Sequence, residues 1–169
     1  MTQATKQQKA TFIWTLLLAA VSVFTVSAFA GRGLAKPIPS DAKSKSFAQA
    51  LVEDMVAKHH ELEGLGLATT PPGGRDCVTI ADTDAKELGD KCDKGELAVM
   101  ETGKSTVEKE KDGYDVTVPL HVSGKTIGII GMDFKLDQQE EGLLDRAKLI
   151  AKEVEDQIPS KSKLFEPAK

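Results

Sequence analysis

Three β-like runs in succession, Ser105–Glu110, Tyr114–Val122 and Thr126–Leu136, constrain the fold of this 169-residue chain more than any other feature. Asp112-Gly113 separates the first two and Ser123-Gly124 the last two. Asp-Gly is a strong tight-turn dipeptide, so the runs read as an antiparallel meander. Pro119 cannot donate to a ladder and predicts a bulge or a locally unpaired stretch in the middle strand. Upstream, Leu65–Thr70 and Cys77–Asp82 are shorter β runs around Pro71-Pro72-Gly73-Gly74, a hairpin signal. Together they make five strands.

Helical segments flank and interrupt the strands. Ser46, with Gln49 three residues on, has the form of a capping box. Phe47, Leu51, Val52, Met55 and Leu62 then recur at helical spacing, which predicts a helix over 46–60. Asp82–Gly89 reads as a turn into a short helix, and Gly95–Gly103 as another. Asp137 with Glu140 reads as an N-cap pair ahead of Leu143, Ala147, Ile150, Ala151, Val154 and Ile158, an amphipathic C-terminal helix. Residues 159–169 read as a polar tail. A single sheet cannot bury both faces by itself, so the long N- and C-terminal helices are expected on one face and the short helical segment on the other. The expected class is α+β, built on one central antiparallel five-stranded sheet.

Lys6 and Lys9, the uncharged run Thr11–Ala30 and the closing Ala28-Phe29-Ala30 make the three-part pattern of a secretory signal. Residues 1–30 are therefore read as a signal peptide cut before Gly31. The alternative is an uncleaved N-terminal anchor, because the run approaches the length of a membrane span. Thr15, Ser22, Thr25 and Ser27 dilute it and favour cleavage. Residues 31–45, with Gly31, Gly33, Pro37 and Pro39, read as a flexible linker, and 46–158 as one domain. The expected location is periplasmic or secreted.

All 26 acidic residues but only 20 of the 22 basic ones lie beyond Ala30, leaving a net charge of −6 there. Nucleic-acid binding relies on neutralising phosphates with Lys and Arg, so that partner is not expected. Cys77 and Cys92 are the only cysteines, and an even count in an oxidising compartment reads as one disulfide. No Cys-x-x-Cys pair or haem attachment motif is present, and no cofactor is expected. His59 and His60 diverge by about 100° on a helix and cannot easily share a metal. Asp82, Asp84, Asp90 and Asp93 invite comparison with a calcium loop, but Lys86 and Glu87 stand where such a loop needs an oxygen ligand and a Gly. No metal site is expected.

Alternation along the strands sorts their side chains into two faces. Val78, Ile80, Tyr114, Val116, Val118, Leu120, Ile130, Met132 and Phe134 form the apolar one. Cys77, Thr79, Ala81, Thr117, Pro119, His121, Gly131 and Asp133 form a mixed one, over which a Cys77–Cys92 bridge would draw the loop 83–95. Small and polar groups on a concave wall suit a small solute. Thr79, Thr117, His121 and Asp133 are thus candidate binding residues. His121 and Asp133 have the form of a base and its orienting partner, yet no motif places a Ser or Cys nucleophile beside them. No catalytic residue is expected.

Cys77-Val-Thr-Ile-Ala-Asp82, Glu87-Leu-Gly89, the segment Glu96-Leu97 to Thr102-Gly103-Lys104, Val118-Pro-Leu120 and Gly124-Lys-Thr-Ile-Gly-Ile-Ile-Gly-Met-Asp-Phe134 resemble the Cache domains. These are PAS-like extracytoplasmic sensor modules, and the resemblance covers roughly residues 46–136. It implies a long N-terminal helix on a central sheet, with a small carboxylate, amine or similar metabolite bound on the other side, and it adds Asp82 to Asp133 at matching motif positions. The Arg-x-Trp-Tyr run that many amino-acid-binding members use is absent from the sequence. Such domains usually sit between two spans ahead of a transducer. With no second span or output domain in view, the expected role is an accessory sensor that a membrane receptor reads. The alternative is an interaction module that docks such a receptor or forms a homodimer through its terminal helices.

Overall fold

Ser46 starts the first helix, α1 (Phe47–Lys58), by accepting the Gln49 N–H on its hydroxyl at 3.1 Å. The computed structural model describes residues 45–169, so the expected signal peptide, its cleavage and nearly all of the linker lie outside the described residues. The chain continues through β1 (Leu62–Thr69), β2 (Val78–Asp82), α2 (Lys94–Thr102), β3 (Thr106–Lys109), β4 (Gly113–Val122), β5 (Lys125–Lys135) and α3 (Leu143–Asp156). A 3₁₀ turn at Lys161–Phe165 closes it. Among the described residues no helix is long and apolar enough to cross a membrane.

The five strands form one antiparallel sheet in the order β2-β1-β5-β4-β3. The expected hairpin and the expected meander are both present. Leu65, Leu67, Val116, Val118, Ile130, Met132 and Phe134 point to one face and are buried against Leu51, Val52 and Met55 of α1 and Leu143, Ala147, Ile150 and Val154 of α3. Each such side chain contributes about 1.5–3 kcal/mol by leaving water. The opposite face receives α2, whose Val99 packs on Ala68, Cys77 and Ile129. That second layer is small, and it leaves the end of the face around Gly64, Asp115 and Asp133 uncovered.

Several expectations are corrected. Only α2 forms a helix between β2 and β3; residues 83–89 are turns and bends, because Asp82 Oδ1 accepts the Asp84 N–H (2.7 Å) and Asp84 Oδ1 the Lys86 N–H (3.0 Å). The full capping box belongs to Asp93 and Glu96 at the start of α2. Ser46 and Gln49 complete only half of one, since the Gln49 amide is engaged elsewhere. Asp137 and Glu140 do not cap α3, which starts at Gly142 (φ 84°) without a side-chain cap, where Leu143 can enter the core. The tail is no loose end either: Leu164 is buried, the Phe47 N–H donates to Glu166 O (2.7 Å) and the Ala168 N–H to Lys45 O (2.9 Å). The two ends of the described chain are thereby tied together.

Candidate functional site

Two glycines of β1 shape the open face. Gly64 and Gly66 share a side of the strand, Gly64 opposite Asp133 of β5 and Gly66 between Gly131 of β5 and Asp82 of β2. A Cβ at Gly64 would collide with Asp133 Oδ2, and one at Gly66 with Asp82 Oδ2. Carboxylates from both neighbouring strands therefore fold over bare backbone, and the strand between them becomes the floor of a trough. Asp115 of β4 stands directly across from Asp133 and extends the row.

The segment 83–91 forms one wall of this trough. The Cys77–Cys92 disulfide, with Cα atoms 5.4 Å apart, holds its base. Closing a loop of this size contributes about 3 kcal/mol in the chain-entropy account. Backbone bonds from Thr79 N–H to Asp90 O and from Gly89 N–H to Thr79 O, both 2.9 Å, pin it along β2. Thr83 accepts the Leu65 N–H on its hydroxyl at 3.1 Å, and Thr83, Asp84 and Glu87 face the trough. With Glu96 of α2 and the β3–β4 turn opposite, they enclose a cleft of about 630 Å³. That volume suits a small metabolite.

Asp82 is fixed from behind by an α1 side chain. Gln49 Nε2 donates to Asp82 O (2.8 Å), and the Asp82 N–H donates to Gln49 Oε1 (3.2 Å). The amide thus supplies the outer edge of β2 with the two hydrogen bonds that a further strand would give.

No family model and no curated protein matches this sequence. Solved structures do. The GAF domain of A. aeolicus nlh2 in an inactive state aligns with a TM-score of 0.50 at 15% identity, over 65% of this chain and 83% of that one. The fold is PAS-like. The GAF domain of a two-component sensor histidine kinase from Bacillus halodurans aligns at a TM-score of 0.48 and 11% identity, covering 68% of this chain and 91% of its own. The blue-light absorbing form of the Thermosynechococcus elongatus PixJ GAF domain aligns at 0.45 and 12%, covering 64% and 85%.

Within this PAS-like frame the residues expected at the site divide. Thr79, Asp82 and Asp133 line the cleft. Thr117 lies on the same face, opposite Gly131, but is buried and does not line it. His121 is a correction. The β4–β5 register slips between Leu120 and His121, one residue past Pro119, and such a bulge re-aims the side chain. His121 Nδ1 lies 2.9 Å from Glu155 Oε1 of α3, on the helix side of the sheet. Ala81 moves to that side for a similar reason, a slip in the β1–β2 register, and is fully buried there. His59 sits at the α1 C-cap, 3.2 Å from Glu153 and 3.5 Å from Glu61.

Asp115, Glu63, Glu87, Glu96 and Glu110 were not singled out by the sequence reading. A signal existed for Asp115, which precedes Thr117 by two positions on the same alternating face. The outcome is electrostatically one-sided: among the described residues nine acidic side chains line the cleft, and no Lys, Arg or His does. Burial, reinforced by the charges of Asp133, Glu110, Glu108 and Glu96, pushes the Asp115 carboxyl up to about 6. Burial also raises Asp82 to about 6, against the Asp84 backbone N–H that lowers it and with Asp133, Glu87 and Asp84 adding to the rise. Asp133 is raised as well, by partial burial and then by Glu110, Glu63 and Glu87.

Proposed function

We propose that this chain is a small-molecule binding or sensing module that works outside the cytoplasm, and that its cleft receives a small organic cation. One observation supports the ligand class above all others, namely the nine carboxylates around a glycine floor with no basic side chain lining it among the described residues. Of the solute classes that the motif resemblance implies, a carboxylate would add a like charge to a site already crowded with them. An amine or guanidinium would instead find acceptors on the floor from Asp82, Asp115 and Asp133 and on the wall from Glu87. Export is supported by the leader-like residues 1–30, and the finer Cache assignment by the motifs between Cys77 and Phe134. We read the module as non-catalytic, with its signal passed on by a membrane receptor.

The test is a thermal-shift screen of the full chain at pH 7.5 against matched sets of amines, guanidines and carboxylates. A ligand that binds only the folded state stabilises it by mass action, by about 2.7 kcal/mol at a hundred times Kd. A rise in Tm with cations alone is the expected result. A shift only with carboxylates, or with nothing in either set, overturns the reading.

A further inference from the structure

Strand register sets two carboxylates face to face in the cleft. Asp115 and Asp133 are direct cross-strand partners. Like charges in that relation repel each other. A protein commonly answers such a pair with a neighbouring Lys or Arg, but here, among the described residues, the charged side chains that shift the two, and Asp82 beyond the glycine floor, are acidic. From β1 comes Glu63, from the β3–β4 turn Glu110, from β3 Glu108, from the wall Asp84 and Glu87, and from α2 Glu96. Gly64 and Gly66 leave open the space over β1 that the Asp133 and Asp82 carboxyls occupy. Two species can relieve the crowding: a proton or a cation.

Resting on the cation reading of the cleft, we propose that the site exchanges one for the other, so that an organic cation enters as carboxyl protons leave and acidification empties it. No bond of the ligand is made or broken. The protons held on the Asp82, Asp115 and Asp133 set pass to the solvent as the ammonium arrives, and the charge of the cleft is the same before and after. The elevated affinities of Asp82 and Asp115 for protons place the exchange near pH 6. A site of this kind reports a solute and the acidity around it together.

Carboxyl-carbon NMR titration of the full chain, with signals assigned through the Asp82→Asn, Asp115→Asn and Asp133→Asn variants, tests the empty state. Calorimetry with 1,4-diaminobutane in two buffers of different ionisation enthalpy tests the exchange. The expected results are at least two aspartates titrating near pH 6, net proton release on binding at that pH, and a Kd about a hundredfold weaker at pH 5 than at pH 7 for the two protons that the dication displaces. Binding of the diamine without proton release, with all three aspartates titrating below pH 5, overturns the exchange and leaves the cation reading standing. Titration near pH 6 with no binding of the diamine overturns both.

Discussion

Gly66 is where the smallest change should have the largest functional effect. Its backbone is extended, so alanine meets no conformational obstacle, and the atom in its way is the end of the Asp82 side chain. Gly66→Ala is expected to cost the fold about 1 kcal/mol, the worth of the Asp82–Asp84 turn bond that moving the carboxyl strains. It should nonetheless abolish the cation-dependent rise in Tm by pushing the Asp82 carboxyl off the floor. An undiminished shift would dissociate the glycine floor from binding. Asp115 makes the complementary case. A carboxyl whose affinity for protons is raised on folding contributes stability that is complete below its unfolded value, near pH 4, and is lost as pH rises through about 6. Asp115→Asn should therefore stabilise the empty protein by about 1–2 kcal/mol at pH 7, after discounting for water in the cleft, and leave it unchanged at pH 4. Urea unfolding at the two pH values measures this, and equal effects at both would refute the assignment.

At the scale of elements, Gln49 joins the first turn of α1 to the end of β2. Gln49→Ala removes both bonds to the Asp82 backbone and exposes the strand edge to water. The expected cost is about 1–2 kcal/mol, with amide exchange quickened at Asp82 and Asp84 and unchanged in β4 and β5. Unaltered exchange at Asp82 would mean that the strand edge does not depend on the clamp. This contact explains why the capping-box reading failed by half, since the same side chain had two partners to choose from and sequence spacing shows only the local one. Elements whose apolar residues repeat at a single period, such as α3, β4 and β5, were legible. β1 was recognised three residues late because Gly64 and Gly66 dilute its run, and those glycines are what makes the cleft. His121 was misplaced because Pro119 announces a bulge without fixing its position, and the slip between Leu120 and His121 turns the imidazole to the helix side. The acidic character of the cleft was hidden because its carboxylates come from five separate segments, none of which is unusual alone.

For the whole molecule, the tail carries more of the stability than its polar composition suggests. Pro159 and Pro167 interrupt any periodicity there, so Leu164 gave no pattern to read, yet its side chain completes the core under α1. Leu164→Ala is expected to cost about 2–5 kcal/mol, the range for truncating a buried leucine, and urea unfolding would show it. A loss below about 0.5 kcal/mol would mean that the tail is not part of the cooperative unit. The sheet, the two helices behind it and this tail form one layered body, and the disulfide and α2 complete only part of the other side. That incompleteness leaves room for a ligand. The pairing of residues 45–47 with 166–168 has a further consequence for engineering. Because the start and the finish of the described chain run side by side, a short linker can join Lys169 to Lys45, and new ends can be opened at the exposed Gly73-Gly74 turn, giving a circular permutant with the trough intact.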